Sequence, residues 1–178
     1  MLTYRNSMTD APALARPSQL WKALPQDKKL QAAEAFWTDQ EAGMEQAEAI
    51  ALIAQKIKFR AKSVVTMPAD KKARHLASFP NVSELVAARL LVAYHLAHQR
   101  PMMGAFLDAV GIAHENGMIA DEEMKAPPPE TLKKAATVIA GQFPPDDVAL
   151  YLSTLLWQDA ETWGALGDAP ERTPSAGA

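Results

Sequence analysis

Hydrophobic residues recur at helical spacing along most of the chain, and they are densest between residues 83 and 99. Apart from aliphatic residues and a tyrosine, the centre of this stretch contains only Arg89 and His95. A helix that is apolar nearly all round is normally buried by neighbours on several sides. The pattern therefore predicts a buried central helix, with Ser83 as its N-cap and an end just before Pro101.

A second apolar helix is predicted to begin at Pro101, because proline suits the first turn of a helix. It carries Met103, Phe106, Leu107, Val110 and Ala113 at core spacing. Asn116 and Gly117 are predicted to end it, with the glycine as a left-handed C-terminal cap. We expect the two helices to pack as an antiparallel pair and to form the core.

Similar patterns, with proline or acidic residues at their starts, predict further helices on both sides of this pair. They cover residues 18–24, 44–67, 130–143 and 145–158, further helices open at 25 and 68, and a short turn lies near 163. Residues 56–62 also alternate polar and apolar, as an edge strand would. We favour the long helix because no second strand is available to pair with it. The predicted fold is all-α, a compact bundle of about seven helices.

The 178 residues are enough for one domain with a sizeable core. Composition suggests a poorly ordered arm over 1–17, a single domain over 18–167 and a disordered tail over 168–178. An acidic stretch with three consecutive prolines makes 120–130 the best linker candidate.

No apolar run reaches the about 18 residues of a membrane span, and the polar start lacks the order of a signal peptide. We therefore expect a cytoplasmic protein without a membrane partner. The absence of cysteine excludes thiolate nucleophiles, disulfides and Cys-ligated zinc. Gly-rich phosphate loops, Gly-x-Ser-x-Gly and dinucleotide fingerprints are also absent, so no cofactor is predicted.

An internal similarity links residues 25–41 to 145–161 at a constant offset of 120. Six of the seventeen aligned positions are identical, including a Pro, an Asp two residues later and a Trp near the end of each helix. An old duplication and a chance alignment of two similarly capped helices both explain this pattern.

Histidines supply the first candidate chemistry. His95 and His98 lie three residues apart on one helix, and His114 with Glu115 follows on the next, so these four side chains are candidate metal ligands. The spacing matches none of the stronger metal signatures. In an antiparallel pair His114 would also lie about 20 Å from His98. Ordinary buried or surface histidines are the preferred interpretation, and a metal-dependent enzyme is the weakest alternative.

A basic segment is the second candidate. Residues 56–74 contain one acidic residue and seven basic residues, which are Lys56, Lys58, Arg60, Lys62, Lys71, Lys72 and Arg74. Such a density can neutralise phosphates, which makes nucleic-acid binding the alternative function. Against it, charges spaced by two scatter over opposite faces of a helix, and the net charge of the chain is −3. A solvated helix surface is preferred.

Tryptophans near the two ends of the chain are the third candidate, namely Trp21, Trp37, Trp157 and Trp163. Tryptophan anchors protein interfaces but also fills cores, and the four could form one layer if the end helices pack together. Charge is lopsided as well: residues 1–80 hold 12 Lys/Arg and 8 Asp/Glu, whereas 81–178 hold 6 and 13. We therefore predict a non-enzymatic helical module that binds another protein or itself.

Overall fold

The computed structural model describes residues 15–121 and 123–168. In this part of the chain there are ten α-helices, one two-stranded hairpin and a closing 3₁₀ helix over Gly164–Asp168. The elements are α1 (Pro17–Ala23), α2 (Gln26–Thr38), α3 (Gly43–Ile57), α4 (Ala61–Val65), α5 (Ala69–Ala77), α6 (Glu84–His98), α7 (Arg100–Val110), β1 (His114–Glu115), β2 (Met118–Ile119), α8 (Pro129–Gln142), α9 (Pro145–Gln158) and α10 (Ala160–Trp163). The predicted all-α class is confirmed, although the helices outnumber the expected seven.

The central helix is also confirmed. The Ser83 hydroxyl accepts a hydrogen bond from the backbone N–H of Val86 at 3.3 Å and caps α6 as predicted. Helices α1, α2, α3 and α9 surround α6, which explains why its sequence has no continuous polar face. None of the described helices is long and apolar enough to cross a bilayer.

Two hydrophobic clusters make up the interior. The N-terminal cluster combines the buried face of α6 with α1 to α5, and the C-terminal cluster combines α7 with α8, α9 and α10. Helix α7 packs chiefly against α8. The expected antiparallel core pair of α6 and α7 is therefore wrong, because each helix is buried in a different cluster. Leu150 of α9 belongs to the N-terminal cluster, so α9 joins the two.

The long helix predicted over 44–67 is interrupted. Helix α3 ends at Ile57, and Lys58 adopts a left-handed conformation with φ of 56°. A short helix then restarts at Ala61 and turns Val64 into the N-terminal cluster, where it is fully buried. The edge-strand alternative is also wrong, since among the described residues the strands are confined to 114–119.

The second predicted helix is shorter than expected. It ends at Val110, because Gly111 with φ of 84° already provides the left-handed cap. Asn116 and Gly117, with φ of 49° and 84°, instead form the turn of a hairpin in which His114 pairs with Ile119 and Glu115 with Met118. Two central residues with positive φ are characteristic of a tight type I′ hairpin turn.

The remaining expectations concern the ends and the linker. Residues 1–14 of the predicted arm and 169–178 of the predicted tail lie outside the described residues. In the linker candidate, the described residues between Ala120 and Pro128 are not helical, and Met124 packs against the C-terminal cluster.

The two similar helices of the sequence begin differently. Pro25 is the N-cap of α2, whereas Pro145 is the first residue of α9 and Pro144 precedes it as N-cap. The aligned prolines therefore occupy different cap positions.

Candidate functional site

A groove of about 240 Å³ lies where α6, α7, the hairpin and α9 meet. Its lining is mostly apolar and comprises Val92, His95, Leu96, Met103, Leu107, Gly117, Met118, Ile119, Tyr151, Leu155 and Gln158. Met118 and Ile119 form its hairpin side and remain 50% and 37% exposed. Exposed large apolar side chains beside an apolar groove are typical of interaction sites.

The hairpin is held against α7 by close backbone packing. A Cβ atom at Gly117 would lie 2.9 Å from Met103 Cβ and 3.2 Å from the Arg100 carbonyl oxygen, so only glycine fits there. The Arg100 guanidinium donates from Nε to the Leu96 carbonyl and from Nη1 to the Asn116 carbonyl. These contacts join α6, α7 and the turn, and they fix the position of Met118 beside the groove.

His114 braces the same hairpin. The backbone N–H of Gly117 donates to His114 Nδ1 at 3.0 Å, which requires that Nδ1 be unprotonated. Nε2 therefore carries the proton and donates to the Asp108 carboxylate at 3.0 Å. Both ring nitrogens are thus engaged in holding the turn, and the ring packs on Gly104.

His95 is the buried polar residue of the groove, with only 3% of its surface exposed. Its Nε2 lies 3.0 Å from Thr154 Oγ1, and the Thr154 hydroxyl donates its single proton to the Leu150 carbonyl at 2.8 Å. Thr154 Oγ1 must then accept from His95, which places the imidazole proton on Nε2. Nδ1 is left as a buried lone-pair acceptor with no partner in the described structure.

Electrostatics keep this imidazole neutral. Burial lowers the pKa of His95 from 6.5 to about 4, although the charge of Asp147 acts in the opposite direction. The ring packs edge to face on Tyr151, whose pKa is raised by burial. Neither group changes protonation near neutral pH, so both stay uncharged there.

The other histidine candidates are placed apart. His98 lies at the exposed end of α6 with its ring 5.5 Å from that of Tyr94, and Glu115 is exposed on β1. Among residues 15–121 and 123–168, no three His, Asp or Glu side chains lie close enough to hold a metal ion.

A second depression of about 360 Å³ lies between α3 and residues 81–83. It is the larger of the two, but the polar side chains in its lining are all exposed, namely Glu48, Gln55, Asn81 and Ser83. The α6–α9 groove is the better candidate because it combines an apolar wall with exposed apolar side chains on the hairpin.

Three cations of the basic segment contact an aromatic ring or a carboxylate, and the other four have no ion pair with described residues. Lys56 and Lys72 lie over the rings of Phe79 and Trp37, each at 4.6 Å, and Arg74 pairs with Asp70 at 2.9 Å. The side chains of four further cations are exposed and have no ion pair with described residues: Lys58, Arg60, Lys62 and Lys71. Phe59, which lies between Lys58 and Arg60 in the chain, is 58% exposed.

The four tryptophans do not form one layer. Trp21 is fully buried and Trp37 half-buried in the N-terminal cluster, whereas Trp163 is buried in the C-terminal cluster. Trp157 is 37% exposed on α9 and is not part of the groove lining.

Thr154, Met103 and Met118 are functional candidates that the sequence did not single out. Thr154 lies 59 residues from His95, so no local pattern joins them. The hairpin did carry a local signal, since an Asn-Gly pair is typical of a tight β-turn. Comparison with known families, curated proteins and solved structures found no match for this chain.

Proposed function

We propose that this protein is a non-enzymatic helical module that binds another protein or a second copy of itself through the α6–α9 groove. The observation that carries the proposal is that Met118 and Ile119 are exposed on the hairpin directly beside an apolar groove. When a partner covers exposed apolar surface of this kind, the surface is removed from water, and this makes binding favourable.

The chemistry of the groove supports binding over catalysis. Efficient acid–base catalysis needs a group whose pKa lies near the working pH. Burial moves the pKa of His95 to about 4 and raises that of Tyr151, so neither fits that role at neutral pH. Among the described residues, no carboxylate lines the groove. We expect the module to act in the cytoplasm, which fractionation of cells would test.

Photo-cross-linking tests the interaction directly. A photoreactive phenylalanine analogue at position 118 places the reactive group beside the groove, and the same analogue at position 138 is the matched control. Val138 is also an exposed apolar residue, 43% accessible, but it lies on α8 outside the groove.

We expect a discrete cross-linked product from position 118 and none of that mass from position 138. Mass spectrometry then distinguishes a foreign protein from a second copy. Identical products from both positions, or a monomer by light scattering that cross-links to nothing, would contradict the proposal.

The exposed cations favour a second candidate function, binding of single-stranded nucleic acid. Lys58, Arg60 and Lys62 have no ion-pair partner in the part of the chain that the structure describes, and Phe59 offers an exposed ring among them. Such sites combine backbone-tracking cations with an aromatic that stacks on bases. Binding to a fluorescent oligonucleotide should weaken with salt and disappear when these three cations are replaced by Glu. Salt-independent binding, or no binding at low salt, would reject this candidate.

A further inference from the structure

The α6–α9 groove is sized for one side chain of a partner. At about 240 Å³ it is smaller than the about 300–1,000 Å³ of pockets that hold drug-sized molecules. Met103 and Met118 line it, and thioether sulfur makes favourable contacts with aromatic rings. Met118 and Ile119 are exposed along its hairpin side. An aromatic side chain that protrudes from a partner therefore suits this groove.

The rim of the groove beside the hairpin is acidic. Glu115 is the cross-strand partner of Met118, so the two side chains project from the same face of the hairpin. Glu115 and Asp121 are exposed and have no ion pair with described residues. From residue 100 to residue 125 the sequence contains five carboxylates and two cations. Basic residues around the aromatic side chain of the partner would complement this rim.

One turn of this same chain has the required chemistry. Phe59 lies in the turn between α3 and α4 and is 58% exposed. Residues 56–66 contain four cations and no carboxylate. Three of these cations are exposed and have no ion pair with described residues: Lys58, Arg60 and Lys62. The Phe59 N–H donates to the Ala54 carbonyl at 3.0 Å, so the turn is already ordered and loses little freedom on docking.

This turn and the groove belong to different parts of the molecule. Helix α4 packs chiefly against α3, whereas α6, α7, α9 and the hairpin line the groove, and Phe59 is not among the lining residues. Residues 1–80 carry a net positive charge and residues 81–178 a net negative one. Opposite charges on the two surfaces favour an approach of two copies that brings the turn of one to the groove of the other.

We propose that the groove holds the Phe59 side chain of a second copy of this chain, with the cations of that turn lying against Glu115 and Asp121. This inference rests on the proposed function and names its partner. The contact joins two different surfaces, so each copy carries both halves of it.

Two variants that each remove one half of the contact test the proposal. Phe59→Asp removes the anchor and keeps the groove, whereas Met118→Asp places a charge beside the groove and keeps the turn. Both positions are exposed, so both variants should fold. Val138→Asp, at an exposed apolar position of α8 outside the groove, is the matched control. Sedimentation velocity of the full chain over a series of concentrations measures self-association.

We expect the wild type and Val138→Asp to self-associate as concentration rises. In Phe59→Asp alone, and in Met118→Asp alone, the dissociation constant should rise at least about tenfold. Mixing these two variants should restore a complex with one copy of each, because the first supplies the groove and the second supplies the turn. In the product cross-linked from position 118, mass spectrometry should find the attachment within residues 56–66.

Charge reversal tests the acidic rim. Lys58→Glu combined with Arg60→Glu should weaken self-association, because like charges then face each other across the contact. Glu115→Lys combined with Asp121→Lys should weaken it for the same reason. All four changes in one chain should restore association, since the facing charges are opposite again. Lys134→Glu, which reverses an exposed cation on α8, should leave association unchanged.

The outcomes separate this inference from the proposed function. A wild type that stays monomeric while position 118 cross-links a foreign protein would overturn the second copy as occupant and leave groove binding intact. Self-association that persists in Phe59→Asp, or a mixture of the two variants that forms no complex, would overturn the Phe59 contact. A monomeric wild type that binds an oligonucleotide through the turn would assign the turn to nucleic acid and overturn the inference. A chain that neither self-associates nor cross-links would overturn both proposals.

Discussion

Replacing His95 should change how the stability of the protein depends on pH. In the folded protein burial holds the pKa of this imidazole at about 4, whereas in the unfolded chain it returns to about 6.5. Between these values the unfolded chain binds a proton that the folded chain does not, so stability falls as pH decreases. The stabilising contribution is complete above pH 6.5 and is lost progressively towards pH 4.

The magnitude follows from the two pKa values. At pH 5 the unfolded imidazole is almost fully protonated and the folded one almost fully neutral. The resulting loss of unfolding free energy is about 2 kcal/mol relative to neutral pH, and it approaches about 3 kcal/mol at pH 4. A loss of this size is a substantial fraction of the stability of an ordinary domain.

Urea unfolding of the wild type and of His95→Gln, at pH 7.5 and pH 5, measures this contribution. The Gln amide can still donate to Thr154, but it does not titrate. We expect the wild type to lose about 2 kcal/mol more than the variant between the two pH values. His98→Gln is the control, because it alters an exposed histidine of the same helix and keeps His95. Equal losses in the wild type and His95→Gln would refute the buried, neutral imidazole.

Two further predictions concern the packing around the groove. Gly117→Ala should destabilise the protein by about 2–4 kcal/mol, because φ is positive and the new Cβ meets Met103. The control Gly111→Ala should cost only about 1–2 kcal/mol, since φ is also positive there but the Cβ has open space. Equal losses in thermal unfolding would show that the hairpin does not dock as described. Phe106→Ala should lower the unfolding free energy by about 3–5 kcal/mol, because this buried ring packs against two other aromatic rings of the C-terminal cluster. The control Leu85→Ala, at an exposed position of α6, should change it by less than about 0.5 kcal/mol. Similar losses for both variants would contradict the assignment of the core.

The predictions from sequence were most accurate where the local residue pattern was compatible with only one structure. Helix α6 was predicted with its N-cap because Ser83 precedes an apolar stretch that only burial can explain. The helix break after Ile57 was missed, since Lys58 adopts a left-handed conformation with neither a glycine nor a proline to indicate it. The hairpin was missed because Asn-Gly fits both a helix end and a β-turn. In the structure Gly111 already ends the helix, so Asn116 and Gly117 form the turn instead.

The candidate site could not be predicted from local patterns. His95 was identified, but its environment depends on Thr154, whose hydroxyl oxygen accepts a hydrogen bond from Nε2–H and so fixes the tautomer of the imidazole. The groove depends equally on the packing of the hairpin against α7 through Gly117, a contact that tertiary structure alone creates. The metal hypothesis rested on the spacing of His95 and His98 and on His114 with Glu115 in the next predicted helix. Among the described residues no three His, Asp or Glu side chains lie close enough to hold a metal ion.

A crystal structure of the full chain bound to the partner captured from position 118 would test the central claim most directly. Our account predicts an apolar side chain of the partner in the groove beside Met118. A complex in which the groove is empty and the partner covers a different surface would contradict it.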